Sequence, residues 1–230
     1  MHAARHSSCK ALPTRKNGQR CDLFLRALSP RAGRVTGSGR GAALMAVAGR
    51  MYSGREERGR ERYNSGVTGH IEAILDALNS ADVRYLVVGG VAVVLHGHLR
   101  TTLDLDLVIQ LEQGNLDRAI AVLSRLGYQP RAPVPFSQLA DPDVRRSWIT
   151  EKNMMVFSLW HPTQTAFEVD IFVEEPFDFD DTYQRRVDVA LEQASVPVIG
   201  LADLIDLKQR ADRPRDQEDV AALRALSEER

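Results

Sequence analysis

Cysteine is almost absent from this chain: two in 230 residues, Cys9 and Cys21, both close to the N-terminus. The remainder has none, which excludes a disulfide-stapled scaffold and a thiolate metal site there. No apolar run approaches the roughly 20 residues that a membrane helix needs. The expectation is a soluble, cytoplasmic domain with no membrane partner. Two common nucleotide motifs are missing too: no Gly-Lys-Ser/Thr closes a P-loop, and the spacing after the one Gly-Gly pair does not fit a dinucleotide fingerprint. No internal repeat is visible.

What is present is enough for one globular core, with 43% hydrophobic residues and a formal net charge of −1. That charge is unevenly spread. Residues 1–66 hold twelve Arg and two Lys against one Asp and three Glu, a surplus of +10 that leaves −11 for the rest. Rich in Arg, Gly and Ser and without apolar periodicity, residues 1–66 are expected to be disordered. Three readings of the segment stand: a nucleic-acid-binding arm, an Arg-rich targeting peptide, or sequence upstream of a true start at Met45 or Met51. Residues 67–230 are expected to form the folded domain.

The folded part centres on Tyr85–Gln110, Y-L-V-V-G-G-V-A-V-V-L-H-G-H-L-R-T-T-L-D-L-D-L-V-I-Q. A short buried strand (85–88) meets the pair Gly89-Gly90, then an apolar helix (91–98). A loop carrying Arg100, Thr101 and Thr102 leads to a second strand, in which Leu103, Leu105, Leu107 and Ile109 alternate with Asp104 and Asp106. At period two both carboxylates lie on one face and the leucines on the other. Paired carboxylates repel and resist burial, and a divalent cation makes such a pair favourable. The glycine pair offers backbone N–H groups and a helix N-terminus to a phosphate. Gly89, Gly90, Arg100 and Thr102 are candidate nucleotide contacts; the alternatives are that the glycine pair is only a tight turn and that Arg100 only decorates the loop.

The other elements follow from periodicity. Ile71, Ile74, Leu75 and Leu78 mark an amphipathic helix. Leu116, Ala119, Ile120, Leu123 and Leu126 mark another, stopped at Gly127. Residues 130–142 read as a loop with at most one helical turn. Strands over 154–160 and 167–173 form a hairpin across residues 161–165, short strands follow at 186–191 and 196–199, and helices at 201–210 and 216–226 close the chain. The fold class is α/β (α+β): a mixed, mainly antiparallel sheet with helices packed on it.

In the strand over 167–173, Glu168 and Asp170 share the polar face. If it neighbours the strand of Asp104 and Asp106, three aspartates can hold two Mg²⁺ ions, or Mn²⁺, that clamp the attacking and leaving oxygens of an in-line displacement. Alternatively, these carboxylates form only the polar outer face of a half-exposed sheet. His96 reads as a packed, hydrogen-bonded histidine rather than a metal ligand. Lys208 could neutralise a triphosphate, although the helical pattern alone places it on a solvated face.

G-G-V-A-V-V-L-H-G-H-L-R-T-T-L-D-L-D with a later F-E-V-D-I resembles the nucleotidyltransferase superfamily, of polymerase-beta-like fold. Thirteen residues, Val91–Leu103, separate Gly90 from Asp104. The closing D-L-I-D-L-K-Q-R-A-D-R-P-R-D-Q-E-D-V resembles the branch of AbiEii-type toxins and minimal nucleotidyltransferases. The resemblance implies that Asp104, Asp106 and Asp170 are catalytic and metal-holding, and that Lys208 and Asp216 line the nucleotide site. It implies transfer of a nucleotide from an NTP such as ATP to a hydroxyl of tRNA, a protein or a small molecule, with release of pyrophosphate. A toxin role with an antitoxin partner follows from the same branch. Two departures are visible: Gly90 stands where many relatives have serine, and Arg215 where lysine is common. Two other readings are compatible with the sequence, a glycosyltransferase using Asp-x-Asp for a metal–nucleotide sugar, and a non-catalytic nucleotide-binding or regulatory module.

Overall fold

A computed structural model describes residues 57–164, 167–192 and 194–228, with side chains from residue 69. The basic segment as far as residue 56, with both cysteines, Met45 and Met51, lies outside the described residues, as does Thr165 of the hairpin loop. Helix α1 (Glu57–Ser80) starts upstream of residue 67, where the apolar periodicity becomes regular. Ile71, Ile74, Leu75 and Leu78 are all buried, as their i, i+3, i+4, i+7 spacing predicts.

Strand β1 (Tyr85–Val87) is apolar throughout and wholly buried, the pattern of a strand with neighbours on both edges and cover on both faces. It is followed by α2 (Gly89–His96), β2 (Asp104–Ile109), α3 (Gln113–Arg125), the two-residue β3 (Gln129–Pro130) and a 3₁₀ turn (Phe136–Ala140). Then come α4 (Pro142–Lys152), β4 (Val156–Trp160), β5 (Glu168–Phe172), α5 (Phe179–Gln184), β6 (Val187–Ala190), β7 (Ser195–Val198), α6 (Leu201–Ala211) and α7 (Pro214–Glu228). The sheet has seven strands in the order β3-β4-β5-β2-β1-β7-β6. Four of its six pairings are antiparallel, while β1–β7 and β2–β5 are parallel. The expected mixed, mainly antiparallel sheet is thus observed.

Periodicity alone misses α4 and α5. Each begins at a short side chain whose oxygen caps the first backbone amides: Asp141 accepts from Asp143 and Val144, and Asp178 from Asp181. Pro142 at the first helical position supplies a φ already suited to a helix. The alternation assigns Leu103 to the strand, on the face opposite the carboxylates; it lies one residue before β2 and is 61% exposed. No helix among the described residues is long and apolar enough to cross a membrane.

The strand that carries the acidic motif and the strand that leads to the glycine pair are tied together by one buried side-chain amide. Asn115 of α3 accepts from the Arg84 N–H (2.8 Å) and donates to the carbonyls of Arg84 (3.0 Å) and Gln110 (2.9 Å), just before β1 and just after β2. Removing it takes these partners from the Arg84 N–H and the Gln110 carbonyl, while the Arg84 carbonyl keeps the Gln110 N–H at 3.1 Å. Asn115→Ala is expected to lower the unfolding free energy by about 3 kcal/mol, measured by urea denaturation. A loss below about 1 kcal/mol would show that water replaces these bonds at little cost.

Candidate active site

The site starts where β1 runs into α2. Val88 is extended, and Gly89 then takes φ +63°, a left-handed conformation in which a Cβ is strained. Space makes the same demand as conformation. A Cβ on Gly89 would stand 1.9 Å from Asp106 Oδ2, and one on Gly90 would stand 2.4 Å from Thr102 Oγ1 and 3.1 Å from Arg100 Nη2. The start of α2 is therefore roofed by the side chains of Asp106, Thr102 and Arg100, and only glycines admit them. The Gly90 amide donates to Asp106 Oδ2 at 3.4 Å. Gly90 in place of serine thus leaves backbone alone to meet a phosphate.

The parallel register of β2 and β5 sets the acidic face. Asp104 lies opposite Glu168, and Asp106 opposite Asp170. In-register neighbours on adjacent strands project to the same face, so four carboxylates crowd one patch. Arg131 takes Glu168 out of that group by a two-pronged ion pair, Nε to Oε2 at 3.0 Å and Nη2 to Oε1. Three aspartates remain. Burial and the Asp170 charge push the Asp106 carboxyl up from 3.8 to about 6, against the opposing pull of the Gly90 N–H and Lys208. Burial, then Asp170 and Glu168, raise Asp104 as well, opposed by Arg215. Asp170 Oδ1 is buried with no hydrogen-bond partner.

That orphaned oxygen and the raised carboxyls are unfavourable electrostatics which a cation would relieve, and an all-oxygen donor set suits a hard cation such as Mg²⁺ or Mn²⁺. No three acidic, His or Cys side chains among the described residues already stand as a ready-made coordination shell. The residue types and their repulsion fit a metal; the cage itself is not preformed.

Opposite the aspartates lies a buried group of two cations and two anions. Lys208 of α6 is 6% exposed and stands 2.8 Å from both Asp216 Oδ1 and Asp219 Oδ2 of α7. The solvated position that its helical pattern indicated is therefore corrected. Lys208 sits four residues after the buried Leu204, on the inward face, and its charge is met there by α7. Arg100 reaches the same Asp219 Oδ2 through Nη1. Arg215 donates to the Thr101 carbonyl, which holds the loop before β2. His96 is buried with a ring nitrogen 2.8 Å from the Ile199 carbonyl, a packed histidine as its setting implied.

The structure thus gathers Gly89, Gly90, Arg100, Thr102, Asp104, Asp106 and Asp170 around the start of α2, with Lys208 within electrostatic reach of Asp106 and Asp216 behind Lys208. Asp219 was not among the candidate residues. Its signal was the i, i+3 spacing from Asp216, which puts both carboxylates on one helical face.

Residues 70–223 match the family model described as aminoglycoside-2''-adenylyltransferase. No curated protein matches the sequence. Among solved structures, the chain is similar to lincosamide antibiotic adenylyltransferase LnuA, lincomycin-bound (18% identity, 69% of this chain and 96% of that chain, TM-score 0.48). It is also similar to an antigenic nucleotidyltransferase-like protein from Paracoccidioides brasiliensis (17%, 70% and 75%, TM-score 0.46). A third likeness is to ANT(2'')-Ia in complex with adenylyl-2''-tobramycin (15%, 69% and 87%, TM-score 0.45). The family match lies within the superfamily that the motifs resemble, and it gives no support to the AbiEii-type branch in particular.

The charge crowding makes a prediction about stability. With its folded value near 6 and an ordinary value of 3.8, Asp106 disfavours the folded state above pH 6, and that penalty disappears as pH falls through 6 towards 4. Asp106→Asn is therefore expected to stabilise the protein at pH 8 by about 2 kcal/mol, with the gain fading between about pH 6 and pH 4. Urea denaturation across that range checks it; a variant less stable than wild type at pH 8 would contradict the crowding.

Proposed function

The chain belongs to the aminoglycoside-2''-adenylyltransferase family, and from that premise we propose that it transfers a nucleoside monophosphate, AMP from ATP in the first instance, to a hydroxyl of a small cationic acceptor such as an aminoglycoside. The observation that carries this reading is the register that sets Asp106 against Asp170, with Asp104 one step away, beside a glycine pair whose missing side chains let Asp106, Thr102 and Arg100 close over the start of α2.

In this reading the Gly89–Gly90 amides and the N-terminus of α2 seat the phosphates. Arg100 and Lys208 neutralise them, and the Thr102 hydroxyl donates to a phosphate oxygen. Asp104, Asp106 and Asp170 would hold Mg²⁺ (two ions, with Mn²⁺ as a substitute), which supplies charge neutralisation at the phosphate oxygens. Asp170 Oδ1, buried and unpartnered, takes the proton of the acceptor hydroxyl. The new bond joins the acceptor oxygen to the α-phosphorus, and the bond that breaks releases pyrophosphate. ATP as donor places the reaction in the cytoplasm.

Charge favours a cationic acceptor. Residues 67–230 carry −11, which attracts an aminosugar and repels the phosphate backbone of tRNA. A tRNA or protein acceptor, with the toxin role and antitoxin partner that either would bring, is an arm of the test. The glycosyltransferase and non-catalytic readings have no observation in their favour.

The test is incubation of the protein with each NTP, Mg²⁺ or Mn²⁺, and in turn an aminoglycoside panel, a lincosamide, total tRNA and a protein mixture. Pyrophosphate release and the mass of the product are the readouts. The expected result is a nucleotidylated aminoglycoside, lost by at least about 1,000-fold in Asp104→Ala, Asp106→Ala and Asp170→Ala. Turnover that survives in Asp106→Ala, or no pyrophosphate with any NTP and acceptor, would overturn the reading. Labelled tRNA or protein would retain the chemistry and replace the acceptor.

A further inference from the structure

Asp219 is the most deeply buried carboxylate among the described residues, at 2% exposure. It is joined by one oxygen, Oδ2, to Arg100 Nη1 and to Lys208 Nζ (2.8 Å). Those partners come from different segments: Arg100 from the loop between α2 and β2, Lys208 from α6, while Asp219 itself is on α7. A single atom thus links three segments. The far side of the same guanidinium stands against the glycine seat, since Arg100 Nη2 is 3.1 Å from where a Cβ on Gly90 would be. Lys208 also acts on the other side of the site, where its charge lowers the Asp106 carboxyl. Both cations held by Asp219 therefore face the place assigned to the triphosphate.

A purely structural carboxylate is a poor explanation for this arrangement. Burying a charge costs several kcal/mol, and an apolar side chain would pack α6 on α7 at lower cost. What only the charge supplies is two cations matched and oriented beside the phosphate seat. The burial of Lys208 and Arg100 (side-chain exposures of 7% and 14%) would otherwise leave them unmatched.

We propose that Asp219 is a positioning residue: it aims Arg100 and Lys208 at the triphosphate, so that the phosphates meet cations already in place. The proposal rests on the nucleotidyltransferase reading. Orientation settled before binding removes a cost that the nucleotide would otherwise bear, in ground state and transition state alike. The effect of losing Asp219 must therefore appear on the nucleotide side of the kinetics and shrink, to the part that Lys208 carries, once Arg100 is gone.

The test compares wild type, Asp219→Asn, Arg100→Ala and the double variant, by calorimetry with ATP or adenosine in Mg²⁺ and by kinetics with each substrate varied in turn. For Asp219→Asn the expected result is an ATP KM raised about ten- to a hundredfold, with the acceptor KM and the adenosine affinity within about twofold of wild type. The double variant is expected to lose clearly less than the two single losses combined, the non-additivity of a residue that acts in part through Arg100. If Asp219→Asn does not fold, Arg100→Lys carries the same test. It keeps the charge but not a guanidinium that spans Asp219 and the seat, and a rise in ATP KM of about tenfold is expected. An unchanged ATP KM, a loss shared equally by ATP, adenosine and acceptor, or additive effects in the double variant would overturn the proposal while leaving the reaction intact. A wild-type protein that takes up no triphosphate would overturn the reaction and the positioning role together.

Discussion

Two carboxylates held against each other by a parallel strand pair are the constraint on which the rest of this molecule depends. Asp106 and Asp170 are Cα partners across β2 and β5, so neither can turn away without breaking the register that also pairs Leu105 with Val169 and Leu107 with Ile171. Those apolar partners are fully buried, and a one-residue slip would move them onto the polar face. The hydrophobic face of the two strands therefore locks the repulsion on the opposite face in place. Burial, and after it the Asp170 charge, push the Asp106 carboxyl up to about 6, and Asp170 keeps a buried, unpartnered oxygen. A protein that keeps such a cost in its central strands is using it, because a neutral pair there would be more stable.

The remainder of the site answers that concentration of negative charge without cancelling it. Arg131 draws Glu168 aside, which trims the acidic patch to the three aspartates of the motif. Lys208 and Arg100 are near enough to matter but are committed to Asp216 and Asp219 rather than to the aspartates. The acidic patch and the basic pair consequently remain separate. Between them lies the start of α2, where the two glycines admit Asp106 from one side and Arg100 from the other. A ligand that carries both a hard cation and phosphate oxygens satisfies both sides at once, and neither a bare cation nor a bare anion does so.

Most of this was legible in the chain because the informative signals are local. Alternation over Leu103–Ile109 revealed the common face of Asp104 and Asp106, and the Gly-Gly pair marked the turn into α2. The long-range facts were not legible. That β5 lies beside β2, and in parallel, depends on sheet order, which periodicity does not encode. Lys208 was misplaced because a single cation on an inward helical face is paired only by a segment that follows later in the chain. Asp219 escaped for the same reason: its importance lies in joining three segments, and no window of sequence contains them all. Helices α4 and α5 were missed because their signal is a capping aspartate, at Asp141 and Asp178, rather than an apolar stripe. Leu103 shows the opposite error, an alternation followed one residue beyond the end of its strand.

The account stands on a cation being held by the aspartates of β2 and β5 when a nucleoside triphosphate occupies the glycine seat. The most direct measurement is an anomalous-scattering map from crystals grown with Mn²⁺ and a non-hydrolysable ATP analogue. The account requires a manganese peak about 2.0–2.4 Å from carboxylate oxygens of Asp106 and Asp170, with the phosphates against Gly89 and Gly90. Nucleotide bound with no manganese at these carboxylates, or seated away from the start of α2, would contradict it.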